Sequence, residues 1–297
     1  MTVYLDHAAS APLRPEVLEQ MLPHLTGVQA NPSSPHAPGR QARAALDEAH
    51  ERLARAIGAE PRALVFTGGG TEAINLAVKG AAWAGKAQGH RIITSAVEHK
   101  AVLESCLLLE KFGFEVKRLP VDRYGQVDPD DLTAALTEKT ILVTLQWANN
   151  EVGTIQPLAD LIERTHAGSK ALVHVDAVQA AAWLPVDVEA LGADLISFAA
   201  HKVEGPKGVG ALWIRRGAAI LPQVHGGSQE RYRRAGTENV AGAVGMAAAF
   251  ELAATEREIV PQAVAERRDR LAGTVLDIEG VERTGHPTER LPNSLSV

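Results

Sequence analysis

The sequence predicts an α/β fold with a mostly parallel central sheet and helices on both of its faces. Short apolar runs rich in β-branched residues alternate along the chain with longer segments that have a 3.6-residue apolar period. These runs are nearly continuous in Val, Ile and Leu, as expected of strands that are buried on both faces. Alternating strands and helices indicate βαβ units, which join parallel strands.

Seven runs have the length and composition of strands, and four amphipathic segments between them have the period of helices. A further apolar segment at 240–254 is broken by Gly242 and Gly245 and is too short to span a bilayer, so we expect a buried core helix there. Residues 31–39 are rich in Pro and Ser and are predicted to form a loop. The predicted strands are 63–67, 91–95, 115–119, 141–146, 172–176, 194–199 and 210–214, and the four helices are 71–84, 99–112, 129–136 and 158–166.

Composition places the chain among ordinary globular proteins. Of its 297 residues, 45% are hydrophobic and 22% are charged, and 30 Lys+Arg against 36 Asp+Glu give a net charge of -6. We therefore expect neither a nucleic-acid partner nor a membrane-surface partner, because both need clustered positive charge. Cys106 is the single cysteine, which excludes an intramolecular disulfide and a multi-cysteine metal site, and we predict no metal. Residues 1–6 show no signal-peptide pattern, so a reducing cytoplasm is the expected location.

Polar residues follow five of the predicted strands at the edge where open α/β sheets bind their ligands. The first group is Gly68-Gly69-Gly70-Thr71, which precedes a helix and has the character of a phosphate-binding loop, although a plain tight turn has the same composition. Each of the other groups also has an ordinary alternative, such as a helix cap, a turn or a surface lysine. Those groups are His99, the pair Asn149-Asn150, Asp176 with Gln179, and the pair His201-Lys202.

The coincidence of these groups at successive strand ends is more informative than any one of them. Together they supply a phosphate anchor, a side chain that can stack on a ring, a donor to a phenolic oxygen, a counter-ion for a ring nitrogen and an amine that can form an imine. Those are the parts needed to bind pyridoxal 5'-phosphate (PLP). The sequence therefore predicts a PLP site with Lys202 as the amine.

Several longer motifs resemble the cysteine desulfurases, which are class V, fold-type I PLP enzymes. The opening YLDHAASAPLRPEV and the loop NPSSPHAPGR are similar to the same family, and the resemblance runs from residue 4 to residue 297. The resemblance implies the fold-type I PLP-transferase architecture. The other motifs are TGGGTEAINLA (67–77), TSAVEHKAVL (94–103), ANNEVGTIQP (148–157), HVDAVQ (174–179), SFAAHKVEGPKGVGALW (197–213) and HGGSQERYRRAGTENV (225–240).

The resemblance also implies roles for individual residues. Lys202 corresponds to the lysine that forms the Schiff base and then moves the Cα proton, and Asp176 to the partner of the pyridinium nitrogen. His99 corresponds to the residue that stacks on the ring and can act as an acid or base. The remaining implied contacts are Thr71 and His201 to the phosphate, Gln179 to the phenolic oxygen with Asn150 close by, and Thr237 to the phosphate of a neighbouring subunit, hence a homodimer. Gly70 of the glycine loop is also expected to bind the cofactor.

The implied reaction converts L-cysteine to L-alanine and passes the sulfur as a persulfide to an acceptor or scaffold protein in iron–sulfur cluster assembly or thiolation. Two departures from the family pattern stand out. Ala199 replaces a serine that commonly binds the phosphate, and the sequence stops at Val297, where relatives continue through the loop that carries the catalytic cysteine. Cys106 lies on the apolar stripe of a helix, so we expect a buried structural thiol that does not replace this nucleophile.

We therefore expect a large cofactor-binding domain at 14–255 and an incomplete smaller α+β domain made of 1–13 and 256–297. A fragment of a longer enzyme and a natural truncation both remain open, and the apolar run LSV at the end favours a fragment. Cofactor binding is expected, with poor persulfide formation by this chain. Other functions left open are a selenocysteine lyase or other class V enzyme such as an aminotransferase, and a non-catalytic partner subunit.

Overall fold

The computed structural model describes residues 3–27 and 30–297. Within these residues, seven strands form one sheet in the order β1-β7-β6-β5-β4-β2-β3. Four of them have the predicted bounds, and the other three differ from the prediction by one residue. The strands are β1 (Leu64–Thr67), β2 (Arg91–Ser95), β3 (Glu115–Leu119), β4 (Thr140–Gln146), β5 (Leu172–Asp176), β6 (Leu195–Ala199) and β7 (Gly210–Ile214).

The sheet is mostly parallel, which confirms the predicted fold class. Strands β2 to β6 pair in parallel, whereas β7 is antiparallel to both of its neighbours, β6 and β1. Strand β1 therefore runs in the same direction as β2 to β6. As a result, the carboxyl ends of six strands lie at one edge of the sheet, which is where ligands of open α/β sheets bind.

Helices cover both faces of the sheet, and an apolar cluster lies under each layer. One cluster joins α2, α6 and α8 to the sheet, and the other joins α3 and α4 to it. Cys106 belongs to the second cluster and is 0% exposed, so the expectation of a buried thiol is confirmed. The helices are α1 (Pro15–Thr26), α2 (Ala37–Ile57), α3 (Gly70–Gly85), α4 (Lys100–Lys111), α5 (Pro129–Ala135), α6 (Leu158–Gly168), α7 (Val188–Leu191), α8 (Val240–Glu256) and α9 (Val260–Val275).

Helix α2 shows how one loop prediction was partly wrong. The segment 31–39 is irregular only to His36, whose ring accepts a hydrogen bond from Gly39 N and caps the helix that begins at Ala37. Pro at position 38 suits the first turn of a helix, where no intrahelical amide partner is needed. The helix ends at Gly58, which has a φ of 69° and therefore a left-handed conformation that favours glycine.

Helix α8 is the predicted core helix, and its burial is confirmed. A Cβ at Gly245 would lie 2.6 Å from Met21 Sδ and 3.0 Å from Pro206 Cγ, so the glycine allows α8 to pack closely on α1 and on the segment after β6. Across the described ranges, none of the helices combines the length and apolar character that crossing a membrane requires.

Residues 257–297, which follow α8, consist of α9 and an irregular stretch that returns to the loop after β4. Leu291 N donates to Gly153 O at 2.9 Å, and Thr154 and Arg290 form an isolated antiparallel bridge. The division into units at 14–255 and at 1–13 plus 256–297 remains a prediction, and its residues 1, 2, 28 and 29 lie outside the described ranges.

Candidate active site

A cavity of about 1000 Å³ lies at the carboxyl edge of the sheet. Its walls come from the segments that follow β1, β2, β4, β5 and β6, as the pattern of polar strand ends predicted. The structure brings together eight of the nine residues that the sequence assigned to the cofactor. They are Gly70, Thr71, His99, Asn150, Asp176, Gln179, His201 and Lys202.

The glycine loop between β1 and α3 presents the start of a helix to this cavity. Gly69 has a φ of 146°, which only glycine adopts readily, and a Cβ at Gly70 would lie 3.1 Å from both Ala199 Cβ and Val178 Cγ2. No side chain of the described residues caps α3. Its first-turn N–H groups are therefore available to an anion, which the helix dipole also favours.

Lys202 lies in the short turn after β6, where its amine is half-buried. Its Nζ donates hydrogen bonds to the carbonyl oxygen of Ala8 and, at 2.9 Å, to that of Ala9. Burial lowers the pKa of Lys202 and outweighs the opposing attraction to Asp176. A larger fraction of this amine is therefore neutral, and nucleophilic, than of an ordinary lysine at the same pH.

Asp176 is the last residue of β5, and only 6% of it is exposed. Burial raises the pKa of its carboxyl, while the amide of Val178, which donates to Oδ1 at 3.0 Å, and the nearby His99 act in the opposite direction. A buried carboxyl with so few donors can accept a further cationic or N–H partner from the cavity.

His99 caps α4 with its own ring. Its Nδ1 accepts a hydrogen bond from Ala101 N at 3.1 Å. In the neutral ring the proton must therefore be on Nε2, because a nitrogen that accepts an N–H bond carries no proton. Since His99 also lines the cavity, Nε2 is the atom that can donate to a ligand there.

The N-terminal segment closes the cavity beside Lys202, and sequence reasoning missed this role. Gln179 Nε2 donates to Ala8 O at 3.0 Å, and Ser10 Oγ lies 3.3 Å from Nδ1 of His201. Burial lowers the pKa of His201 most, and the nearby cations Lys202 and Lys207 lower it further. The motif HAAS has no periodicity that could have indicated contacts with residues 171 and 191 positions later.

Gln146 is a second lining residue that the sequence analysis did not single out. It is the last residue of β4 and pairs in register with Asp176 on β5. A search for polar residues at the carboxyl ends of the predicted strands could therefore have identified it. Its neighbour in the cavity, Asn150, donates from Nδ2 to Glu151 Oε1 at 2.8 Å.

Thr237 lies apart from the other eight residues. It is exposed and borders a small cavity of about 110 Å³ on the other side of Gly68. The structure therefore does not bring Thr237 into the main cavity of its own chain.

Comparison with known proteins shows the family to which this chain belongs. The family model described as aminotransferase class-V matches residues 3–297. The chain belongs to this family. It is 48% identical over 295 residues to the cysteine desulfurase IscS of Methanosarcina thermophila. That match covers 99% of this chain and 73% of the relative. A cysteine desulfurase IscS of Dictyoglomus turgidum is 51% identical over 99% of this chain and 75% of that relative.

Two solved structures are similar to this chain over most of its length. A NifS-like protein aligns with a TM-score of 0.97 and 40% identity over 99% of this chain and 81% of its own chain. A structure of SspA in complex with cysteine aligns with a TM-score of 0.81 and 38% identity over 84% of this chain and 72% of its own. The resemblance to cysteine desulfurases and the fold-type I architecture are confirmed.

Class-V enzymes of this kind depend on PLP, and the donor set in the cavity fits that group. An uncapped helix start with adjacent basic side chains suits the phosphate, the buried Asp176 suits a protonated ring nitrogen, and Lys202 supplies an amine. Glycine at position 70 lets this helix start lie close against Ala199 and Val178, both of which also line the cavity.

Proposed function

We propose that this chain is a PLP-dependent cysteine desulfurase that converts L-cysteine to L-alanine and passes the sulfur to an acceptor. The observation that carries the proposal is a half-buried lysine, Lys202, in one cavity with the buried Asp176 and an uncapped helix start. The curated relatives named cysteine desulfurase support the choice of substrate.

Each lining residue has a proposed task in holding PLP. Thr71, His201 and the first-turn amides of α3 bind the phosphate, and Asp176 holds a proton on the ring nitrogen. His99 lies against the ring face. Gln179 and Asn150 bind the phenolic oxygen.

Bound PLP supplies an aldehyde that condenses with amines and a protonated ring that accepts electrons from bonds at the substrate Cα. Lys202 would hold the aldehyde through its Nζ until L-cysteine binds. The same Nζ would then be free to accept the proton at the substrate Cα. The lowered pKa of Lys202 favours this step, since only a neutral amine can accept a proton.

The sulfur step needs an accessible thiol, and the single cysteine of the sequence, Cys106, is buried. The Cβ–S bond of L-cysteine would break as its sulfur forms an S–S bond with an acceptor thiolate. L-alanine would then be completed by a proton added at Cβ and by return of the Cα proton from Lys202. Cys106 is unsuited to accept the sulfur, because it is buried in α4 and burial raises its pKa to about 12. We infer that a sulfur-acceptor or scaffold protein, or another part of the enzyme, supplies the thiol.

Thr237 supports a homodimer with shared active sites. It is exposed and lies outside the main cavity of its own chain, so a contact with phosphate would have to be made in a neighbouring subunit.

Borohydride reduction of the PLP-treated protein, followed by peptide mass mapping, tests the cofactor assignment. We expect a visible absorption band and a single pyridoxyl label on Lys202. Both should be lost in Lys202→Ala and kept in Lys111→Ala, an exposed lysine at the end of α4. A label distributed over other lysines, or no bound PLP, would contradict the assignment.

Substrate choice is tested with the same protein and dithiothreitol as the acceptor thiol. We expect little alanine without an added thiol, because Cys106 is buried, and alanine with sulfide from L-cysteine only when the thiol is present. Faster release from L-selenocysteine, or amino-group transfer to a keto acid, would instead indicate one of the other class-V activities. Bound PLP with no turnover of any of them would indicate a non-catalytic partner subunit.

A further inference from the structure

The segment 228–239, here called the Thr237 loop, is attached by its side chains to the edge strand β1. Glu230 Oε2 accepts a hydrogen bond from Phe66 N at 3.2 Å, and Arg231 Nη1 donates to Leu64 O at 3.4 Å. Strand β1 is the outermost strand of the sheet, so these side chains satisfy backbone groups that have no neighbouring strand.

The Thr237 loop is also attached to the start of α3. Arg234 donates from Nε to Glu72 Oε1 at 2.8 Å and from Nη2 to Glu72 Oε2 at 3.3 Å. The same Oε2 accepts a hydrogen bond from Gly68 N at 2.8 Å. A continuous chain of hydrogen bonds therefore runs from Arg234 through Glu72 to the first residue of the glycine loop.

The charge of Glu72 matters because of its position. It lies in the first turn of α3 and lines the main cavity together with Thr71. A carboxylate there interacts favourably with the helix dipole, but it repels any phosphate bound at the same helix start. The paired guanidinium of Arg234 offsets that negative charge.

We propose that Arg234 is a positioning residue for the phosphate-binding loop, acting through Glu72. It neutralises the Glu72 carboxylate beside the phosphate site and holds that carboxylate where it fixes Gly68. The inference rests on the proposed function, which assigns the cofactor phosphate to the glycine loop. It links the phosphate-binding loop directly to the segment that carries Thr237.

The test compares the dissociation constants of PLP and of pyridoxal, which lacks the phosphate, by absorbance titration of the full chain. In Arg234→Gln the carboxylate loses its partner and its charge faces the phosphate. We expect PLP binding to weaken about tenfold, equivalent to about 1.4 kcal/mol. Pyridoxal binding should change by less than about twofold, because pyridoxal lacks the phosphate that a negative charge at the helix start repels.

A second substitution separates this role from a merely structural one. Adding Glu72→Gln to Arg234→Gln removes the repelling charge, so the double variant should bind PLP more tightly than the single Arg234 variant does. The affinity for pyridoxal should stay unchanged between the two variants, whereas a merely structural coupling of this contacting pair would restore the binding of PLP and of pyridoxal alike. The double variant also keeps the experiment informative if the single variant folds poorly.

Arg91→Gln is the matched control. Arg91 forms a two-bond pair with Glu115, at 3.1 and 2.6 Å, at the amino end of β2 and away from the cavity. Its loss should leave the affinity for PLP within about twofold of the unsubstituted chain, since exposed pairs contribute little.

Three results would overturn the inference. PLP affinity in Arg234→Gln could match that of the unsubstituted chain, PLP and pyridoxal could weaken equally, or the double variant could bind PLP no better than the single one. Failure of the unsubstituted chain to bind PLP would instead overturn the proposed function and, with it, this inference.

Discussion

Glu98→Gln should stabilise the protein, and by more as the pH rises. Glu98 precedes His99 and is buried, with Ser95 Oγ donating to its Oε1 at 2.6 Å. Its Oε2 has no hydrogen-bond partner among the described residues. Burial raises the pKa of this carboxyl to about 8, helped by the negative charge of Asp176, although the Ser95 hydrogen bond lowers it.

The sign and size follow from the difference between the folded and unfolded pKa. The folded pKa of about 8 lies above the ordinary value of 4.5, so the protonated acid's contribution to stability is complete below pH 4.5. It is lost as the pH rises through 8, at about 1.4 kcal/mol per pH unit. At pH 7 the loss is about 3 kcal/mol, as an order of magnitude. Glutamine has the shape of the protonated acid and cannot ionise, so it avoids this loss.

Urea unfolding at pH 5, 6, 7 and 8, at constant ionic strength and equal cofactor content, measures the effect. The difference in the free energy of unfolding between Glu98→Gln and the unsubstituted chain should be small at pH 5 and should grow steadily to pH 8. The control is Glu110→Gln, where the Arg118 hydrogen bond lowers the pKa of a partly exposed carboxyl, so the substitution should give no such gain. A difference that is independent of pH, or a loss of stability at pH 8, would refute the reasoning.

Two further predictions concern buried groups. Burial lowers the pKa of His174 to about 3, so the stability that its neutral ring contributes is complete above pH 6.5 and is lost as the pH falls towards 3. In urea unfolding, His174→Gln should therefore reduce the fall of the unfolding free energy with decreasing pH by about 1.4 kcal/mol per pH unit. An unchanged dependence on pH would contradict this. Burial raises the pKa of Cys106 to about 12, so a disulfide reagent such as DTNB should label its thiol only after denaturation, and rapid labelling of the native protein would refute its assignment as a structural thiol.

The sheet was predictable because its strands are buried on both faces. Strands such as β4, in which every residue is buried, produce apolar runs that have few other interpretations. The direction of β7 was not predictable, since strand patterns do not encode pairing direction. Helix α2 was not among the predicted helices, although its buried residues Ala42, Leu46, Ala49, Leu53 and Ile57 recur at the three- and four-residue spacing of an amphipathic helix.

The cavity was predictable to the extent that strand ends define it. Asp176 and Lys202 follow directly from that rule, because the carboxyl ends of parallel strands share one edge. The contacts made by residues 8–11, and the pairing of Arg234 with Glu72, were not predictable. Arg234 and Glu72 are 162 positions apart, and neither residue type nor spacing indicates such a contact before the chain has folded.

The two ionisable groups most important for the proposed chemistry are both shifted towards their neutral forms. Burial is the largest influence on each, lowering the pKa of Lys202 and raising that of Asp176, and their mutual attraction is the smaller effect. A neutral amine is the form that reacts with an aldehyde. A protonated ring nitrogen beside Asp176 would reverse the second shift, because an adjacent positive charge stabilises the carboxylate. The same burial therefore prepares Lys202 for reaction and gives Asp176 a preference for a cationic partner, which accounts for the presence of both residues at the edge of one sheet.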